Sequence, residues 1–487
     1  LQPQQRNETT VTGTKIMTDD SKPTLPTAAQ TVVPETAPAL TLPKVEMGRR
    51  SLGGLGFAAA AAATIGTAAV GTVATTRPAR AQSAGTIKVG ILHSLSGTMA
   101  ISETPLKEVM LMLIQQQNAN GGLLGQQLEA VVVDPASNWP LFAEKAKQLL
   151  SVDKCAAVFG CWTSVSRKSV LPVFEQENGI LFYPVQYEGQ ECSRNIFYTG
   201  AAPNTQAIPA VDYLMNTVHV KRWVLAGTDY VYPRTTNKIL EAYLKAKGVA
   251  ASDIMINYTP FGYSDWQGIV SQIKSFGSAG EKTAVVSTIN GDANVPFYKE
   301  LGNQGIKATD IPVCAFSVGE QELAGIDTKP LVGHLAAWNY FESVQSPLNT
   351  QFIADFKKFT GNPKRVTNDP MEAAFIGFNM WVKAVEKANT TDTDAVIAAL
   401  PGITAPNLTG DYAAMMPNHH ITKPVLIGEI QADGQFNVVF ETPGTVVAQP
   451  WSPYLPESKD LIGDWLPPMS CGNYDVVRGK CLGTKAA

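Results

Sequence analysis

The sequence predicts an α/β protein built from two similar lobes, each a mostly parallel sheet covered on both faces by helices. Two observations carry this. Strand and helix patterns alternate from Ile87 onward, and after Pro203 the same alternation starts again. The strand-like runs are short and continuously apolar, as expected of strands buried on both sides. A chain of 487 residues leaves room for two or three domains with real cores.

In order, Ile87 to Leu92 reads as a buried strand leading into the loop His93-Ser94-Leu95-Ser96-Gly97. A helix is expected from Pro105 to Asn120, stopped by Gly121-Gly122, where the chain must turn left-handed. A strand (128–133), a helix (141–150), a strand (156–159), a helix (166–178) and a strand (180–183) follow. The second series runs helix 205–218, strand 222–226, helix 233–247, strand 254–258, helix 266–276, strand 283–288, helix 295–304 and strand 312–316. Segments 350–360, 370–388 and 394–399 read as helical, and 425–431 with 436–440 as a hairpin turning at Asp433-Gly434.

The N-terminal eighty residues are different. Residues 1–46 are rich in Thr, Pro, Gln and Ala without periodicity, which predicts disorder, and Met47 offers an internal start. From there Arg49-Arg50, the uncharged stretch Ser51 to Thr76 and the small-x-small site Ala79-Arg80-Ala81 read as a twin-arginine signal peptide, 47–81. The alternative is a membrane anchor, but a stretch of Ala and Gly inserts weakly. No Cys stands near the cleavage site for lipid attachment. Export places all six Cys in an oxidising compartment, and the near pair Cys471 and Cys481, in a turn-rich tail (466–487), is expected to form a disulfide.

Composition excludes several functions. A net charge of −4 gives no basic field for nucleic acid, and 16% charged residues is too few for a coiled coil. The mature chain has no glycine-rich phosphate loop and no G-x-S-x-G elbow. No cofactor is indicated. The five His show no triad pattern, and His419-His420 lack the spacing of a metal pair on one helical face; their expected role is structural or at the surface. Asp392 and Asp394 read as helix caps rather than cation ligands, with metal binding left open.

Parallel-sheet lobes bind ligands at the carboxyl ends of their strands, hence in the crevice between two of them. The residues there are Trp162, Thr163 and Ser164 at a helix entrance, Tyr183, Gln186 and Tyr187 after the next strand, Asp229, Tyr230 and Tyr232 in the second lobe, and Asn290-Gly291-Asp292. Thr163 or Ser164 reads equally well as a plain helix cap. Arg167 and Lys168 read as solvated. Phenols, hydroxyls and amides with few charges suit a small neutral polar ligand.

Three strings carry a family resemblance: Phe159-Gly-Cys-Trp-Thr-Ser-Val-Ser-Arg-Lys168, Phe182-Tyr-Pro-Val-Gln-Tyr-Glu-Gly189 and Tyr230-Val-Tyr-Pro-Arg234, with Asn418-His-His-Ile421 beside them. Together with Ile87–Ser96 and Asn118–Gly125 they resemble the branched-chain amino acid and amide type of periplasmic binding protein, and within it the urea-binding proteins of ABC importers. The resemblance covers nearly the whole mature chain. It implies two Rossmann-like lobes of type I joined by a three-crossing hinge, divided as 86–203 plus 339–408 and 204–338 plus 409–465. It implies no enzymatic activity, a periplasmic location, urea or a short amide as ligand and a membrane permease as partner, with the processed chain not spanning the membrane. The ligand residues implied are Trp162, Ser164, Tyr183, Tyr230 and Tyr232. Val185 and Gln186 stand where the related amide sensor has Thr and Pro, which makes Gln186 a replacement contact. Ser164 is expected to serve the urea carbonyl, and Asp229 its amide hydrogens; Gly291 completes the set. The competing readings are a receptor for short amides or an amino acid, an amide-sensing regulator and an amide hydrolase.

Overall fold

The computed structural model describes residues 85–456 and the backbone of two short strands beyond them, Tyr474–Asp475 and Lys480–Cys481. The extension 1–46, the signal segment 47–81 and the Cys471–Cys481 pairing lie outside the described residues. The first sheet holds five parallel strands, β1 (Ile87–Leu92), β2 (Leu128–Val133), β3 (Ala157–Gly160), β4 (Leu181–Tyr183) and β5 (Ile196–Tyr198), ordered β2-β1-β3-β4-β5. Helices α1 (Ala100–Ala119), α2 (Trp139–Lys147) and α3 (Ser164–Gln176) make the crossovers. Helix α1 begins five residues before the expected Pro105, because the Met99 carbonyl already accepts the N–H groups of Ser102 and Glu103. Strand β5 was not anticipated. It follows an irregular loop in place of the crossover helix that normally joins parallel neighbours.

The second sheet has seven strands. Helix α4 (Ala207–Asn216) leads into β6 (Arg222–Thr228), α5 (Val231–Ala246), β7 (Ile254–Thr259), α6 (Gln267–Gly277), β8 (Thr283–Thr288), α7 (Asn294–Asn303), β9 (Val313–Ala315), α8 (Glu320–Leu323) and β10 (Leu335–Trp338). Helices α9 (Pro347–Thr360), α10 (Asp369–Ala388) and α11 (Thr393–Ala399) return to the first lobe, with β11 (Thr404–Pro406), β12 (Tyr412–Ala414) and β13 (Thr422–Lys423). The hairpin β14 (Leu426–Ile430) and β15 (Phe436–Glu441) then closes the second sheet, antiparallel to β10, and β16 (Val446–Val447) pairs with β13. The order is β15-β14-β10-β9-β8-β6-β7. Neither α8 nor β10 was expected from the sequence.

Each lobe has its own apolar packing. The chain leaves the first core after Ala202, returns at Tyr340 and leaves again after Ile421. The boundary near residue 408 therefore needs correction. Ala413, Met415 and Ile421 pack in the first core, as does Ala448, while Tyr454 packs against the second. At the three crossings Asn339 is fully buried, and its Nδ2 donates to the carbonyls of Thr205 (2.8 Å) and Pro424 (2.6 Å). One carboxamide thus ties all three crossing segments together.

Two details fix the loop after β4. Gly200 lies against it so closely that a Cβ would stand 2.1 Å from the Val185 carbonyl and 2.7 Å from the Gln186 nitrogen. On the far side, His420 is buried, stacks on Tyr198 (4.4 Å) and shares a 2.5 Å hydrogen bond between its Nε2 and the Tyr187 hydroxyl. Burial lowers its pKa to about 4.

Because the obstacle at Gly200 is backbone, Gly200→Ala is expected to cost about 3 kcal/mol, read as a lowered midpoint in guanidinium unfolding; an unchanged midpoint contradicts the packing. For His420, an unfolded imidazole takes up a proton below about pH 6.5, whereas the folded one resists until about pH 4. Its contribution is complete above that window and is lost as the pH falls through it. His420→Gln should melt below wild type at neutral pH, with the gap narrowing toward pH 5; a gap that ignores pH contradicts the assignment.

Candidate functional site

The loops that follow the parallel strands of the two sheets meet. Trp162, after β3, donates from Nε1 to Asn290 Oδ1 after β8 (3.3 Å), and Gln186, after β4, donates from Nε2 to Ser317 Oγ after β9 (2.7 Å). Further out, Ser102 of α1 donates to Glu322 of α8 (2.7 Å). Gly291, with φ +69°, sits where a Cβ would be 2.7 Å from the Thr98 carbonyl oxygen, so it serves the close approach of the lobes.

In the first lobe, Thr163 caps α3 by accepting from the Ser166 N–H (3.1 Å). Ser164 opens the helix with its hydroxyl committed on two sides. Its Oγ donates to Glu188 Oε2 (2.5 Å) and accepts from Arg167 Nη1 (3.0 Å). The hydrogen expected to serve a ligand carbonyl is therefore taken, and Ser164 retains only acceptor capacity. Tyr183 donates to the Trp162 carbonyl (2.5 Å).

The solvated placement expected for Arg167 and Lys168 is overturned: both are buried. Arg167 donates from Nε to Glu191 (2.8 Å) and from Nη2 to Glu188 (3.2 Å), with the rings of Tyr183 and Tyr187 each 4.6 Å from its guanidinium carbon. Lys168 Nζ donates to Glu191 (2.9 Å). Burial alone would raise the Glu191 carboxyl, but Arg167 and Lys168 outweigh it and hold that group below the usual carboxylate range. Two cations and two carboxylates leave the cluster without net charge. Burial forces such neutralisation, since an unpaired charge away from water is costly.

From the second lobe come Tyr230 and Tyr232, both buried at the start of α5. Tyr230 packs with Val165 of the first lobe and lies 4.8 Å from Phe261, which in turn meets Trp139 (5.3 Å). The Tyr232 hydroxyl lies beside Ser317 and Gln186, yet it has no hydrogen-bond partner of good geometry, and neither has Gln186 Oε1. Burial raises both phenols above their ordinary pKa, so they stay protonated. Asp229 does not join the site. It is exposed and pairs with Arg234 Nε (2.5 Å) on its own helix. Trp162, Ser164, Tyr183, Gln186, Tyr230 and Tyr232 do come together.

Sequence reasoning missed Ser317, Asn290 as a lobe-to-lobe acceptor, and the carboxylates Glu188 and Glu191. Ser317 stands two residues past β9, where the strand-end rule applied to the other strands would have found it. Among the described residues no three His, Cys, Asp or Glu side chains gather to hold a metal ion. Cys161 is buried, and burial pushes its thiol far above the ordinary range, which disfavours the thiolate form.

The family model for the periplasmic binding protein domain matches residues 87–457. The Leu/Ile/Val-binding protein homolog 7 of Brucella melitensis is 22% identical over 386 residues, 74% of this chain and 92% of that protein. A solute binding protein of an ABC transporter from Rhodopseudomonas palustris HaA2, solved in complex with p-hydroxybenzoic acid, matches with a TM-score of 0.65 at 21% identity, covering 75% of this chain and 98% of that one. A 123-residue stretch is 30% identical to the limonene hydroxylase of Geobacillus stearothermophilus, but it amounts to 25% of this chain and 22% of that protein, so this chain spans only about a fifth of that relative. With two parallel-sheet lobes, a triple crossing and a family match running from β1 past β16, the chain belongs to the periplasmic binding protein family, in the type I architecture of its solute-binding members.

Proposed function

We propose that the protein is an extracytoplasmic receptor that captures urea between its lobes and delivers it to the permease of an ABC importer. One observation carries the ligand reading: in the buried interface Gln186 Oε1 has no partner, and the Tyr232 hydroxyl, whose oxygen faces Ser317 and Gln186 without a well-formed hydrogen bond, keeps its hydrogen uncommitted. One is an acceptor and the other can donate, the complement of an amide N–H beside its C=O. Buried groups of this kind reject a ligand that leaves either unpaired. Urea adds further N–H groups, for which the remaining acceptor capacity of Ser164 is suited.

The charge balance supports a neutral ligand. The buried cations Arg167 and Lys168, which could otherwise pair with the carboxylate of an amino acid, are held by Glu188 and Glu191. Trp162, Tyr183 and Tyr230 restrict the space to something small. Closure of the lobes over the ligand, a population shift toward the closed form, would create the surface the permease reads. Export by the twin-arginine route and cleavage after Ala81 belong to the same reading.

Calorimetric titration of the purified protein with urea, acetamide, formamide and leucine tests it. Urea is expected to bind most tightly; tight leucine binding with no urea response overturns the assignment. Tyr232→Phe should weaken urea about tenfold, the worth of one buried hydrogen bond, with no change in melting temperature. Unaltered affinity would place the ligand elsewhere.

A further inference from the structure

We infer that Ser317, a residue no sequence feature assigned to the ligand, selects for amide N–H groups by fixing the face that the Gln186 carboxamide shows to the cleft. This rests on the urea reading above. A free carboxamide can turn over and exchange its acceptor for its donor edge. Here Nε2 donates to the Ser317 hydroxyl oxygen, 2.7 Å away, and the Tyr232 oxygen beside Ser317 is the acceptor for the hydroxyl's own hydrogen, so a turned-over carboxamide would compete with Tyr232 for that hydrogen and Oε1 is left as the available edge. Both residues are buried, so neither edge has water as a substitute partner.

Both ends of this contact are anchored. On the first lobe, Gln186 is seated by the close approach of Gly200 and by the Tyr187 N–H donating to the Ala201 carbonyl (2.9 Å). On the second, the residue before Ser317 is tied to the hinge. Gln206 Nε2, in the first crossing segment, donates to the carbonyls of Phe316 (3.1 Å) and Ala337 (2.7 Å). Because Gln186 and Ser317 stand on different lobes, their hydrogen bond exists only when the lobes are together. Opening releases the carboxamide, and closing sets it. Recognition of the ligand's N–H is thereby made a property of the closed form, and Ser317 acts as a positioning residue through Gln186.

Urea and acetone, nearly equal in shape but with N–H only on urea, separate this role from a structural one. In the wild type, urea should bind and acetone should not. Ser317→Ala is expected to weaken urea about tenfold and to lower its preference over acetone, because the released carboxamide can present its donor edge. Adding Ser317→Ala to Gln186→Ala should cost nothing further if Ser317 acts through Gln186. Unchanged urea affinity in Ser317→Ala, an unchanged ratio of the two ligands, or additive losses in the double variant overturns the inference. If the wild type takes up no urea, the urea reading fails by itself. The Gln186–Ser317 link is then judged by small-angle scattering of the ligand-free proteins: a larger radius of gyration in Ser317→Ala than in wild type supports it, and identical radii overturn it.

Discussion

The fully buried guanidinium of Arg167 is the constraint on which the interior of the first lobe depends. It is taken out of water and repaired by Glu191, Glu188, the Ser164 oxygen and the faces of Tyr183 and Tyr187. Removing it would leave Glu188 and Glu191 with Lys168 as their one buried cation, hence one uncompensated charge in the interior, a loss on the order of 3–5 kcal/mol for a broken buried pair. The same pairing dictates chemistry. Ser164 is oriented by Glu188, the tyrosines are held as walls, and the charge that could have drawn an anion into the cleft is already neutralised. A neutral cleft here results from internal pairing, with charged residues present in quantity.

The hinge imposes a second constraint of the same physical kind. Asn339 uses one amide group to link the first and third crossings, and its own N–H donates to Asp369 Oδ2 (2.9 Å), which also accepts from Lys423 (3.0 Å). Three chain segments passing between lobes would each expose peptide groups without ladder partners, and buried peptide groups must find partners. Side-chain amides from the segments themselves supply them. The crossing point is thereby held in a defined geometry, which sets the strand-end loops of the two lobes against one another.

Much of this was legible in the sequence. Alternating periodicity located the paired lobes because a parallel strand and its crossover helix leave different apolar patterns. The elements it missed, β5, α8, β10, β11, β12, β13 and β16, are only two to four residues long, too short for a period to register. The lobe boundary was misplaced for a related reason: β12 and β13 carry no pattern that says which core they join, and only packing of Ala413 and Ile421 decides it. Strand-end logic gathered Trp162, Ser164, Tyr183, Gln186, Tyr230 and Tyr232, because position after a strand is a local property. It also drew in Asp229, and the error is instructive. Position fixes where a loop is, but Arg234 five residues on determines which way the side chain turns.

Burial of charge was the least legible feature. Arg167 and Lys168 sit next to each other on a helix, which locally reads as a solvated edge. Their partners lie in the loop around Glu188 and Glu191, more than twenty residues on, and that loop is folded back by Gly200 and by His420 from near the end of the chain. Nothing in the helix itself encodes that return. The consequence reaches function directly: the reading of a neutral ligand drawn from sparse charges in the sequence stands on different ground in the structure, where the charges are numerous and mutually satisfied. A cleft of that kind discriminates by hydrogen-bond edges, and edges, unlike net charge, have to be held at a fixed angle. On the proposed ligand reading, residues fixing orientation, such as Glu188 for Ser164 and Ser317 for Gln186, would bear on selectivity alongside those that touch the ligand.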